Sequence, residues 1–128
     1  RKRTSNDLSL SEKETKYIQK KTGLKMPLVK TLTNSFNRFT MVSTNMKERV
    51  TIDANLQFNK NPFQPNLFII ELKQESLDQK SSIFKALKKH MIRPFSLSKY
   101  CIGMCTVYPD IKANNFKSKF LKINKITA

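Results

Sequence analysis

Apolar and polar residues alternate with a period of two in several stretches of this chain, most clearly at Asn66–Lys73, which reads Asn-Leu-Phe-Ile-Ile-Glu-Leu-Lys. Side chains on a strand alternate faces, so Glu71 and Lys73 point one way while Ile70 and Leu72 point the other. Arg49-Val50-Thr51-Ile52-Asp53 has the same design, with Val50 and Ile52 on one side and Arg49, Thr51 and Asp53 on the other. A lone Glu-x-Lys is most simply a cross-strand charge pair on a solvated face. Two strands with one oily and one charged face point instead to a sheet curling around an ionic ligand, because charge on a covered face needs partners.

The same pattern predicts strands over Leu28–Leu32 and Phe36–Val42, the latter with Phe36, Arg38 and Thr40 on one face and Phe39 and Met41 on the other. A turn at Ser43-Thr44-Asn45 leads into a strand over Glu48–Phe58, antiparallel by proximity. Residues 59–66, with Pro62 and Pro65, form a loop before Asn66–Lys73, which is expected to be the central strand.

Helical spacing appears elsewhere. Leu10, Tyr17 and Ile18 share a face, Ser9/Glu12 and Ser11/Glu14 each match a capping box, and Gly23 supplies a stop, predicting a helix over Leu10–Thr22 that covers the outside of the sheet. Ile83, Phe84, Leu87 and Met91 form an apolar stripe with Lys85, Lys88 and Lys89 outward, and Pro94 ends that helix. Ser96–Val107 reads as a third helix, capped by Ser96 or Ser98, with Tyr100, Cys101, Met104 and Cys105 as the buried stripe. Lys99 falls in its first turn, where the helix dipole disfavours a cation unless an anion is also there; taken alone it reads as a surface lysine. The tail Ile111–Ile126 mixes Phe116, Phe120, Leu121 and Ile123 with five lysines, a packed terminal segment with a wet lysine face rather than a membrane or nucleic-acid helix.

Composition narrows the chemistry. The 128 residues suffice for one domain, and 25 Lys and Arg against 9 Asp and Glu give a net charge of +16, which calls for a polyanionic partner. Two glycines rule out a glycine-rich phosphate loop, so any phosphate is held by side chains or helix ends. Two cysteines and one histidine argue against both a disulfide framework and a zinc site, and Cys101 and Cys105 read as small buried hydrophobes in a reducing compartment. No apolar run is long enough to span a membrane and no leader is evident, so a cytoplasmic location is expected. The start at Arg-Lys-Arg, without Met, suggests a fragment, a processed product or a trimmed chain. No nucleophile–base constellation is present. Charge can still drive phosphoryl transfer, in which positioning and neutralisation of phosphate oxygens supply most of the catalysis.

Four motifs then fall in a familiar order: Asn37-Arg38-Phe39; Glu48-Arg49-Val50-Thr51-Ile52-Asp53; Ile70-Glu71-Leu72-Lys73; and Phe95 to Ser98-Lys99-Tyr100-Cys101-Ile102-Gly103. Together they resemble the C-terminal half of the VTC domain, the polyphosphate polymerase domain of the vacuolar transporter chaperone complex and its bacterial relatives. The resemblance implies an α+β fold, an antiparallel sheet forming about half of a triphosphate-tunnel barrel with flanking helices, and transfer of the ATP γ-phosphoryl group to polyphosphate with a divalent metal, Mn or Mg. It implies Arg38, Arg49 and Lys99 as catalytic residues contacting phosphate, Arg3 (less directly Lys2 or Arg1) and Lys73 as further phosphate ligands, and Glu71 as the metal ligand. Two departures accompany it. A basic residue that some members carry three positions before the Ser-Lys lysine is Ser96 here, with Arg93 the nearest substitute, and the N-terminal half of the tunnel is missing. Half a barrel leaves open edges, so a homo-dimer completing the sheet or an exposed incomplete sheet is expected, without unaided polymerisation. The alternatives are a non-catalytic module binding polyphosphate or inositol-phosphate-like anions and, last, a basic nucleic-acid-binding domain, for which the aromatics fall mostly on the apolar faces.

Overall fold

A computed structural model describes residues 10–24 and 26–128, in two units, one reaching Thr31 and the other running Leu32–Ala128. The first contains helix α1, Glu12–Thr22. Of the two candidate capping boxes, Ser11/Glu14 forms: the Glu14 N–H donates to Ser11 Oγ at 3.3 Å and the Ser11 N–H donates to Glu14 Oε2 at 3.1 Å. Gly23, at φ 70°, closes the helix in the left-handed conformation that glycine reaches without strain. Leu28–Leu32 is not a strand. Propensity alone does not make a strand.

The second unit begins its sheet where Thr33 and Asn59 exchange bonds: the Thr33 N–H donates to Asn59 Oδ1 at 2.9 Å and the Asn59 N–H to the Thr33 carbonyl at 2.8 Å. Four antiparallel strands follow, β1 (Asn34–Val42), β2 (Glu48–Phe58), β3 (Asn61–Pro62) and β4 (Ile69–Gln74). The long strand β2 is the centre, with β1 along one side and β3 and β4 along the other. The stretch expected to be central is therefore an edge strand. The sheet is open and not a closed barrel, flanked by helices in an α+β arrangement.

One irregularity governs the packing. Asn37 pairs with Ala54 but Ser35 pairs with Gln57, so Asn55 and Leu56 together oppose Phe36, and Asn55 takes φ 54°. Such a bulge adds a residue to one strand and shifts its alternation by one. Leu56 and Phe58 consequently turn to the same face as Asp53. There they form the core with Phe63, Leu67, Ile102 and Ile123, flanked by Phe36, Ile69, Phe116 and Phe120.

Helix α2 (Ser82–Lys89) stops well before Pro94, with Met91 at φ 56°. Helix α3 (Lys99–Val107) packs on β1 and β2 and is capped by Ser98, whose Oγ accepts from the Cys101 N–H at 3.3 Å. Its buried residues are Ile102 and Gly103, not the expected stripe; Tyr100 is exposed and both cysteines are half-buried. Gly103 is required by proximity: a Cβ there would come within 2.6 Å of Leu32 Cδ2 and of the Phe58 ring. After a 3-10 turn at Asn114–Phe116, helix α4 (Lys117–Thr127) buries Ile123 and exposes Lys117, Lys122 and Lys125, while the half-buried Lys119 donates from Nζ to the Ser96 carbonyl at 2.5 Å. On the opposite face of the sheet Phe39, Met41 and Ile70 are exposed.

Candidate phosphate-binding face

Register fixes which side chains meet. Arg38 pairs with Asp53 and Thr40 with Thr51 across β1 and β2; Arg49 pairs with Lys73 and Thr51 with Glu71 across β2 and β4. Directly opposed residues share a face, so Arg38, Thr40, Arg49, Thr51, Asp53, Glu71 and Lys73 all lie on the face that carries the core beyond the bulge.

Asp53 is the hub of this face. Only 3% exposed, its carboxylate accepts from Arg38 Nε at 2.6 Å through Oδ1 and from Arg38 Nη2 at 2.7 Å through Oδ2, a planar two-point pairing. Oδ2 also accepts from Lys99 Nζ at 2.5 Å, a bond that reaches across from the first turn of α3. The anion that a cation at this helix start calls for is thus supplied by the protein, and Lys99 is not a surface lysine. Phe36 adds a floor under both cations, its ring centroid 5.0 Å from Arg38 Cζ and 4.7 Å from Lys99 Nζ.

The titration of the cluster follows this geometry. Hydrogen bonding from Arg38, then from Lys99, outweighs burial and holds the Asp53 carboxyl below its ordinary range, while the bond to Asp53 raises Arg38 further. Glu71 is also lowered, chiefly by Lys73, whose Nζ lies 3.0 Å from Oε1, and then by the more distant Arg38 and Lys99. That pair is 47% and 57% exposed, so it is screened and weakly held. The Arg49 side chain makes no hydrogen bond or ion pair among the described residues and is exposed. Thr51 is the opposite case: 8% exposed, with an Oγ1 that has no partner.

The residues singled out in the sequence therefore divide. Arg38, Arg49, Glu71, Lys73 and Lys99 come together on one face, while Arg3 lies outside the described residues. Asp53 and Phe36 were legible as members of this face, but not their roles, because the Asp53–Lys99 contact joins residues 46 positions apart. A cavity of about 490 Å³ opens beside the bulge at Ser35, Asn37, Asn55 and Gln57, and none of the residues lining it is ionisable, so it does not compete as an anion site.

The VTC domain family model matches residues 2–108, which includes every strand and α3. The chain belongs to the VTC domain family. No curated protein and no solved structure matches it. The match stops short of α4, so the helix that supplies Ile123 to the core lies beyond the VTC region.

For a divalent metal, the charged face of the sheet offers, among the described residues, one carboxylate that is not already held by two cations, Glu71. Asp53 is saturated by two cations, and no group of three or more His, Cys, Asp or Glu residues gathers among the described residues. Glu71 is paired with Lys73 through Oε1 at 3.0 Å, and its side chain is 47% exposed. Such a donor set fits a hard cation that arrives with phosphate oxygens and water and needs one protein carboxylate, as magnesium does in nucleotide sites, and does not fit an all-protein cage. Among the described residues no helix is long and apolar enough to cross a membrane.

Proposed function

We propose that the charged face of β1, β2 and β4 binds a linear phosphate chain, and that the domain works as a polyphosphate polymerase-type unit accepting the γ-phosphoryl group of ATP onto that chain. The supporting observation is the convergence of Arg38, Arg49, Lys73 and Lys99 on one face with only Asp53 and Glu71 as counter-charge. In this reading Arg49, exposed and unengaged, makes the first contact with phosphate. Lys73 exchanges its weak pair with Glu71 for a phosphate oxygen, which leaves Glu71 as the residue that would hold a divalent metal. When bound, Mn or Mg neutralises charge on the phosphates during transfer. Arg38 and Lys99, fixed by Asp53, present their remaining N–H groups to oxygens of the transferred group. A terminal oxygen of the acceptor chain forms the new bond to the γ-phosphorus as the bond from that phosphorus to the β–γ bridging oxygen breaks, and the oxygen leaves with its electron pair on ADP. Charge and orientation do all of this; no side chain needs to act as a nucleophile.

One observation favours a second reading, anion binding without turnover: Arg38 and Lys99 are already engaged by a buried carboxylate, and a single carboxylate is left for metal. Incubation with ATP and manganese separates the two. Polyphosphate formation that is lost in Glu71→Gln, with tripolyphosphate binding kept, supports transfer; no product in either protein, with binding intact, supports the binder. Normal polymerisation by Glu71→Gln contradicts the metal role. Stronger binding of single-stranded DNA than of tripolyphosphate would reject both.

The proposal includes a second copy as partner. Among the described residues β1 and β4 each pair with β2 alone, which leaves both long edges of the sheet open. Sedimentation of a stable monomer that does not associate at high concentration would argue against that pairing.

A further inference from the structure

The hydroxyl of Thr51 has no part in the reading above, yet it is the one buried side-chain polar atom among the described residues that finds no partner. Its position is central. Along β2 it lies between Arg49 and Asp53, and across the sheet it is flanked by Thr40 and Glu71. Alternate residues of a strand are about 6.6–6.8 Å apart, so Thr51 stands midway between the Arg49–Lys73 cations and the Arg38–Lys99 cations, with no charge of its own. Threonine in a central strand is ordinary, and its methyl and branch suit the sheet. A threonine retained only for shape would still bond its hydroxyl to a neighbour, because a buried hydroxyl without a partner is destabilising. Thr40 and Glu71 are within one strand spacing, and neither takes the bond.

We infer that Thr51 Oγ1 is a hydrogen-bond donor to the middle of the bound phosphate chain. The inference rests on the phosphate-chain reading of this face and deepens it: the two cation pairs hold the charged ends, and Thr51 contacts the oxygens between them. Part of what surrounds Thr51 in the free protein is movable. Its cross-strand neighbour on β4 is Glu71, and the Glu71–Lys73 pair is exposed and weakly held. An anion that draws Lys73 and Arg49 toward itself opens the way to the hydroxyl. A chain of three or more phosphates reaches both cation pairs and Thr51 together, whereas orthophosphate reaches one pair at most. The face therefore selects for length, and Thr51 contributes to that selection.

Calorimetric titration with tripolyphosphate and with orthophosphate tests this in the wild type, Thr51→Val and Thr51→Ser, with thermal unfolding of each. Valine keeps the branched shape and removes the donor. Thr51→Val should bind tripolyphosphate roughly tenfold more weakly, the usual scale for one hydrogen bond to a charged group. Its orthophosphate affinity should not change, its midpoint of unfolding should stay equal or rise, and Thr51→Ser should bind nearly as the wild type does. Unchanged tripolyphosphate binding by Thr51→Val overturns the role of Thr51 while leaving the phosphate-chain reading intact. A lowered unfolding midpoint in Thr51→Val also overturns it, since the hydroxyl would then be bonded within the fold. Failure of the wild type to bind tripolyphosphate overturns the reading of the face itself, and this inference with it.

Discussion

The bulge at Asn55 divides one sheet face into two regions with opposite chemistry. On one side Leu56 and Phe58 are sealed under α3 and α4 with Ile102 and Ile123; on the other Arg38, Arg49, Glu71 and Lys73 are exposed around the buried Asp53 and Thr51. In the apolar region every side chain is justified by the neighbours it touches. In the charged region the accounts do not close: Asp53 is fully engaged, but Arg49 is unengaged and Thr51 unbonded. Most of the stability is expected from the first region, and the second keeps side chains whose hydrogen-bonding capacity is not used within the fold. A single strand serves both because its extra residue turns the apolar alternation over.

Removing the ring at the centre of the apolar region should have the largest effect. Phe58→Ala is expected to destabilise the fold by about 3–5 kcal/mol in denaturant titration, the usual range for a buried phenylalanine. A loss below about 1 kcal/mol would mean that this region is not the core.

Next comes Asp53, the one residue of the charged region expected to carry stability. Asp53→Ala leaves two cations unpaired, but Arg38 is 41% exposed and can be rehydrated, so about 2–3 kcal/mol is expected, at or below the low end for a broken buried pair. The pH dependence has a definite sign. Because the folded carboxyl titrates below its ordinary value, its contribution is complete above that value, about pH 3.8, and is lost as acid carries the pH down through the folded pKa. Asp53→Ala should therefore flatten the acid limb of the stability profile, with a residual slope from Glu71, whose carboxyl is also lowered. An unchanged acid limb would show that the Arg38–Asp53–Lys99 bonds do not persist in solution.

Gly103→Ala probes the contact by which α3 approaches the core. A methyl group within 2.6 Å of Leu32 and Phe58 should cost about 1–3 kcal/mol, partly offset by the better helix propensity of alanine. The smallest stability effect belongs to Arg49→Ala, within about 0.5 kcal/mol, together with roughly a tenfold or greater loss of tripolyphosphate affinity. If Arg49→Ala and Phe58→Ala lose affinity equally per folded molecule, the division between the two regions fails.

Much of this was readable from alternation alone. The sharing of a face by Arg38, Arg49, Glu71 and Lys73 followed from a period of two, and the Gly23 stop followed from local chemistry, which narrowed the caps to Ser9 or Ser11 and Ser96 or Ser98 without choosing Ser11 and Ser98. What alternation could not give was the Asn55 bulge, since asparagine tolerates positive φ in many settings and nothing nearby marks it. Without the bulge, Leu56 and Phe58 would continue the Val50–Ile52 face, and the core would be assigned to the wrong side of the sheet. The buried stripe of α3 failed for a related reason. Its burial is decided by how closely the helix approaches Phe58, so Ile102 and Gly103 turn inward instead of the residues that helical spacing favours. Leu28–Leu32 had strand composition, but pairing is a property of two segments.

The most direct test is where a phosphate chain lands on a protein with a net charge of +16, on which lysines of α2 and α4 offer competing surfaces. Backbone amide shifts recorded by NMR during titration with tripolyphosphate at physiological salt should concentrate on Arg38, Arg49, Thr51, Glu71, Lys73 and Lys99 and saturate together. Shifts spread over Lys85–Lys89 and Lys117–Lys125 that fail to saturate, with β2 and β4 silent, would contradict it.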